Sequence, residues 1–202
     1  FGTIDTQGLA LKPGDEFGQG TQMRAFRCDP RPRPGWSVDW RIEDRRKLLP
    51  PGTDVRMRYT DLTTDAQAYT CEAWISVSGF SGHEEAWIPR VMTRRTAAQA
   101  PLASTFVAVI EPYEQHSGIA AIHRLPVKTE NGAAYPDSYV AVEIARAEGG
   151  RDVLVAADVE NPLGNGPSRS DDRVMVVAPD LKSDAELCLV RLSLIHISEP
   201  TR

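Results

Sequence analysis

Short runs of alternating apolar and polar residues, separated by Pro- and Gly-rich punctuation, restrict this chain to β structure. In Trp36-Ser-Val-Asp-Trp-Arg-Ile42, Trp36, Val38, Trp40 and Ile42 fall on one side, and Ser37, Asp39 and Arg41 on the other. That period of two marks a half-buried strand, because successive strand side chains point to opposite faces. Val55, Met57 and Tyr59 alternate in the same way with Arg56, Arg58 and Thr60. Further strands are predicted over 21–28, 69–77, 86–93, 105–111, 122–127, 139–147, 153–159, 173–178 and 186–192. Pro50-Pro-Gly-Thr-Asp54 reads as a turn, and Glu148-Gly-Gly-Arg151 joins two apolar runs as a β-hairpin would.

Hardly any segment carries a helical period. The expected fold is therefore all-β, an antiparallel multi-strand β-sandwich rather than a set of βαβ units. Phe106-Val-Ala-Val-Ile110 and Val174-Met-Val-Val-Ala178 are apolar on both faces, so both are expected as central, covered strands. Residues 1–191 suit a single sandwich domain. Arg94-Arg-Thr-Ala-Ala-Gln-Ala-Pro101 reads as a long surface loop, with a seam between two stacked sheets near 95–101 as the alternative.

The end of the chain reads differently. Leu192-Ser-Leu-Ile-His-Ile-Ser-Glu-Pro-Thr-Arg202 fits, codon by codon, a transposase adapter used in DNA sequencing. Residues 192–202 are expected to be a non-native tail. With Phe1 where an initiator Met would stand, residues 1–191 are expected to be a metagenomic fragment of a longer protein.

Charge narrows the partners. The net charge is −5 and stays there without the tail, which carries one Glu and one Arg. Such a chain lacks the basic excess that suits nucleic acid or an anionic membrane. No apolar run approaches the roughly 20 residues that span a bilayer. A soluble chain is expected, with neither nucleic acid nor membrane as partner, although local Arg clusters can still attract an acidic polymer. Cys28, Cys71 and Cys188 form no Cys-x-x-Cys pair. Cys71 and Cys188 read as small buried hydrophobes; a Cys28–Cys71 disulfide is the lesser alternative and would need an oxidising compartment.

The residues that bear chemistry are scattered. His83, in Gly82-His-Glu-Glu85, has two carboxylates beside it but no second His at ligand spacing. Asp39, Glu43 and Asp44 alternate with Arg41, Arg45 and Arg46, the pattern of a surface ion-pair network. Three glycines in 14–20 lack the Lys of a phosphate loop, and no Gly-x-Ser-x-Gly elbow occurs. Neither a metal nor another cofactor is expected. Aromatics and arginines are more suggestive, since aromatic faces stack on sugar rings and Arg pairs bidentately with carboxylates. Arg56 and Arg58 form a two-Arg stripe. Trp40 and Trp74 are expected in the core, and Trp87, near Glu84, Glu85 and Arg90, is expected at the surface. Arg56, Arg58, His83, Trp87 and Arg90 are the candidate substrate contacts.

Pro101-Leu-Ala-Ser-Thr-Phe-Val-Ala-Val-Ile-Glu-Pro-Tyr113, followed by Ile122-His-Arg-Leu-Pro-Val127 and Val153-Leu-Val-Ala-Ala-Asp158, resembles the C-terminal β-sheet region of heparinase II/III-like polysaccharide lyases. The resemblance covers about residues 85–160. It implies an α/α toroid upstream of a multi-sheet β domain, and β-elimination on uronate-containing polysaccharide in the periplasm or outside the cell. In that family the base and the carboxylate neutraliser lie mostly in the toroid and in a Gly-x-His-x-His segment, which this chain lacks. The resemblance therefore implies a catalytic centre upstream of Phe1, with the toroid and an acidic polysaccharide as partners. A non-catalytic carbohydrate-binding sandwich and a structural or adhesive β module are the alternatives.

Overall fold

The computed structural model describes residues 3–13, 22–44, 46–76, 85–157 and 174–193. All regular structure among them is β, and every strand pairing is antiparallel. The chain divides into two compact units, residues 1–116 and 117–202. The 95–101 segment lies inside the first unit.

The first unit contains β1 (Thr3–Gln7), β2 (Lys12–Pro13), β3 (Met23–Asp29), β4 (Trp36–Arg41), β5 (Val55–Asp61), β6 (Gln67–Ser76), β7 (Glu85–Arg94) and β8 (Ala108–Glu114). They form two four-stranded sheets, β1-β4-β5-β8 and β2-β3-β6-β7. Trp36 and Val38 of β4 bury against Ala68 of β6, and Ile4, Trp40, Tyr59 and Val91 close around them. Apolar residues of one sheet thus meet those of the other, which makes the unit a β-sandwich. The alternation read from Trp36 to Trp40 selects the inward face.

A polar knot ties the sheets together inside this core. Asp61 of β5, 1% exposed, accepts hydrogen bonds from Tyr59 Oη (2.5 Å), Thr93 Oγ1 of β7 (2.7 Å) and Thr63 N (2.8 Å). A buried carboxylate is tolerated only when so satisfied. Burial, and then the bond to Asp61, push the Tyr59 phenol well above its ordinary range.

The second unit contains β9 (Ile119–Leu125), β10 (Tyr139–Arg146), β11 (Arg151–Ala157), β12 (Met175–Ala178), β13 (Leu181–Ser183) and β14 (Leu187–Leu192). One sheet runs β14-β11-β10-β9, and β12 pairs with β13. Val127, Tyr139, Ala141, Val153, Val155, Met175 and Val177 form its core, and Cys188 packs against it. Glu148-Gly-Gly-Arg151 does turn the β10–β11 hairpin: Gly149 N–H donates to Arg146 O, Arg146 N–H donates to Gly150 O, and both glycines have positive φ. Leu192 pairs with Arg151 at the end of β14, and residues 194–202 lie outside the described ones.

Two sequence readings need revision. Phe106 to Ile110 is not a covered strand: Val107 is buried, but Phe106 and Ile110 are exposed, Ile110 by 63%. β8 is an edge strand. Along the rung Val38–Tyr59–Ile110 cover falls from complete, through partial, to slight, so cover over the sheet ends before β8. Val174 to Ala178 is not central either, since its strand pairs with three-residue β13 and otherwise makes a single bridge, between Val176 and Lys128, although Met175 and Val177 do fill the core. The cysteines are free, so the lesser alternative of a Cys28–Cys71 disulfide is not formed, while Cys71 is buried and Cys188 packs against the second core as read. The short strands β1, β2 and β13 had no apolar alternation to announce them.

Candidate functional site

β5 carries the site because it is the inner strand between β4 and β8. The side chains that alternate with its core-facing ones share the outer sheet face with those of both neighbours. Asp39, Arg58 and Glu111 occupy one rung, and Arg41, Arg56 and Tyr113 the next. Residues 74 positions apart, Asp39 and Tyr113, are thereby brought into contact.

The contacts centre on Asp39. Its Oδ2 accepts from Arg58 Nε (3.1 Å), from Arg58 Nη2 (2.9 Å) and from the Tyr113 hydroxyl. Its Oδ1 is buried without a hydrogen-bond partner. Arg58 Nη2 also donates to Tyr113 Oη (3.2 Å), with the guanidinium 5.2 Å from the ring centroid. Burial, followed by the bond to Asp39, raises the Tyr113 phenol above its ordinary value. Burial pulls the Arg58 guanidinium down, but the Asp39 bond and the charges around it leave it above its usual value.

The neighbouring rung is anchored from the β4–β5 loop. Asp54 accepts from Arg41 Nε (3.0 Å) and Arg56 Nε (3.2 Å). Partial desolvation raises the Asp54 carboxyl, yet the two arginines outweigh it and hold it below the usual carboxylate value. The Asp54 bond raises Arg56 in turn. The face is therefore a held array: three guanidinium groups and one phenol, fixed in direction by two carboxylates. Such an array presents remaining N–H donors outward without a rotamer search, which suits hydroxyl and carboxylate ligands.

The five sequence candidates do not converge. Arg56 and Arg58 share the outer face of β5. Trp87 and Arg90 are on β7, in the other sheet, with side chains on opposite strand faces. Trp87 is partly exposed as expected, but the Arg24 guanidinium lies 3.9 Å over its ring and is tied to Glu72 at 2.8 Å. A sugar stacking there would have to displace Arg24. Arg90 Nη1 lies 3.7 Å from Met23 Sδ. His83 lies outside the described residues. Of the expected network among Asp39, Glu43, Asp44 and their interleaved arginines, Asp39 pairs with Arg58 and Arg41 with Asp54, Asp44 accepts the Leu49 N–H at 2.7 Å, and Arg45 lies outside the described residues.

Between the sheets, Trp40, Ile42, Met57 and Tyr59 face the Ile88–Val91 edge of β7 across an open, mostly apolar cleft of about 450 Å³. Among the described residues no group of three or more His, Cys, Asp or Glu could hold a metal ion. No helix of the described residues is long and apolar enough to cross a membrane.

Comparison of the chain with protein-family models, with curated proteins and with solved structures returns no match.

Proposed function

We propose that this chain is the C-terminal β portion of a polysaccharide lyase that cleaves uronate-containing polysaccharide by β-elimination. In this reading the catalytic centre lies upstream of Phe1 in an α/α toroid, and the fragment alone is inactive. Its part is to wall the substrate cleft with the outer face of the β1-β4-β5-β8 sheet. One observation carries the reading: Glu111 and Tyr113, from the string that resembles the lyases, share rungs with Arg58 and Arg56. The string thus adds a phenol and a carboxylate to a face with three guanidinium groups, on a chain of net charge −5, and what supports an acidic ligand there is the N–H donors those groups keep, not an excess of positive charge. A periplasmic or secreted location belongs to the same proposal.

One observation favours the second reading, a structural β module. Arg41, Arg56 and Arg58 all have carboxylate partners already, as in a face that braces a sheet. Titrating the full chain with galacturonate oligosaccharides, against neutral galactose oligosaccharides as control, separates the two. Binding confined to the acidic series, weakened in the Arg56→Ala/Arg58→Ala variant, supports the cleft-wall role. No binding of either series, together with upstream β repeats in the source locus, supports the structural module.

A further inference from the structure

The loop end of the first unit encloses a hollow that the reading above does not use. Three connections meet there: the Pro-rich β3–β4 loop, the β5–β6 turn and the segment just after β7. They border an open cavity of about 570 Å³, within the range of small-molecule sites. Pro30, Pro32 and Pro34 form one wall, and each fixes its own φ.

The walls are pinned to two buried aspartates, by carboxylate and main-chain oxygens. Asp29, buried at the end of β3, accepts from Arg31 N (3.0 Å) and Ala10 N (2.8 Å). Gly35 N–H at the other end of the loop donates to Asp61 O (2.6 Å). The opposite wall begins at Thr63, whose N–H donates to Asp61 Oδ1 (2.8 Å). Leu62 N–H donates to Val107 O (2.8 Å), and Leu62, Thr63 and Ala66 are buried. A site so anchored loses little entropy on binding.

Its polar groups are the informative part. Arg31 and Asp65 line the same hollow, carry opposite charges, and form no ion pair with each other or with any other described residue. Both are exposed, and in the same unit Arg24, Arg41, Arg56 and Arg58 have carboxylate partners, while Arg33, like Arg31, has none among the described residues. Gln67 takes the Tyr69 hydroxyl on Oε1 at 3.1 Å, which leaves its NH₂ as a donor. The hollow therefore offers a cation for an acid group, a carboxylate that only accepts, and an amide with its NH₂ donors in hand. A ligand with one acid group and several hydroxyls satisfies all three.

We propose that this loop end binds one acid-bearing sugar unit, with its carboxylate on Arg31 and its hydroxyls on Asp65 and Gln67. The inference takes its ligand class from the proposed function, and it places a second contact for the same polymer away from the β5 face. The test is calorimetric titration of the full chain and of Arg31→Ala, Asp65→Ala and Arg33→Ala with galacturonate and galactose oligosaccharides. Arg33 carries the same charge two residues away and does not line the hollow. Loss of one charge-assisted contact should weaken galacturonate binding about tenfold or more in Arg31→Ala. Asp65→Ala should weaken it several-fold, and Arg33→Ala should stay within about twofold of the parent, since surface charge acts weakly at a distance. If the parent binds galacturonate while Arg31→Ala and Asp65→Ala match it, the loop site is overturned and the proposed function stands. If the parent binds neither series, the proposed function and this site fail together.

Discussion

Arg58→Met tests whether the Asp39 cluster supports the sandwich. The substitution keeps an unbranched side chain on β5 but removes two of the three donors to Asp39 Oδ2, leaving only the Tyr113 hydroxyl. Asp39 Oδ1 has no partner to compensate, and the Asp39 side chain is only 10% exposed. Breaking a fully buried ion pair costs about 3–5 kcal/mol. Arg58 keeps 30% of its side chain in solvent, so water can relieve part of the loss, and the expected cost is about 2–3 kcal/mol. Removing both charges in Asp39→Val/Arg58→Met should cost no more than about 1 kcal/mol, because the stranded carboxylate is gone. All four tryptophans, Trp36, Trp40, Trp74 and Trp87, lie in the first unit. Tryptophan fluorescence during urea unfolding therefore reports that unit alone, which protects the two-state treatment in a chain of two units. A loss below about 0.5 kcal/mol in Arg58→Met, or a double variant as unstable as the sum of its singles, would refute the reasoning.

Three further outcomes follow from the same geometry. Trp36→Ala should cost the first unit about 3–5 kcal/mol in the same urea assay, since Trp36 is sealed between the sheets. Ile110→Thr should stay within about 0.5 kcal/mol of the parent, because the side chain is largely in solvent; a core-sized loss would return β8 to the interior. Asp152 is held below its ordinary value of 3.8, first by the Arg191 hydrogen bond and then by the Arg191 charge. A folded-state value below the unfolded one means that the contribution is present above the unfolded value and lost as pH falls through the folded one. In an NMR titration of side-chain carboxyls the Asp152 midpoint should lie below 3.8 and rise toward it in Arg191→Ala; equal midpoints in both proteins would contradict the pairing.

Strand existence was legible where one face is buried and the other is wet. Trp36, Val38, Ala68, Tyr69 and Cys71 sit in strands whose alternation or apolar weight announces them, and all are buried. Their cause is local, because the pleat sends neighbours to opposite faces whatever the partner strand is. Sheet order is not local. Phe106 to Ile110 has the composition of a covered strand, but cover depends on what lies across the sandwich from it. For β8 little does, as the exposure of Ile110 records. Arg56 and Arg58 were legible as a polar stripe for the same local reason. Asp39 and Tyr113 were visible as residue types, yet nothing near either in sequence points to the other.

The same distinction explains why the loop hollow escaped the sequence. Asp29-Pro-Arg-Pro-Arg-Pro-Gly35 announces a rigid turn, because its prolines and glycine fix the backbone locally. What makes it a wall is the meeting with Asp65 and Gln67, about thirty residues on, and with Thr96, further still. Sequence patterning places strands, strands place the ends of their loops, and only the pairing of β5 with β4, and of β6 with β3 and β7, brings those three loops to one end. Buried Asp29 and Asp61 then set the loops in position from below. Their cost of burial is offset by donors from the loops, Arg31 N and Thr63 N, together with Ala10 N, Tyr59 Oη and Thr93 Oγ1. The outer arginines are paired across the sheet, whereas Arg31 is not, although every one of them stands near a carboxylate in sequence or in space. A cation and an anion facing one pinned hollow without closing on each other is the arrangement that the proposed acid-bearing sugar unit would bridge.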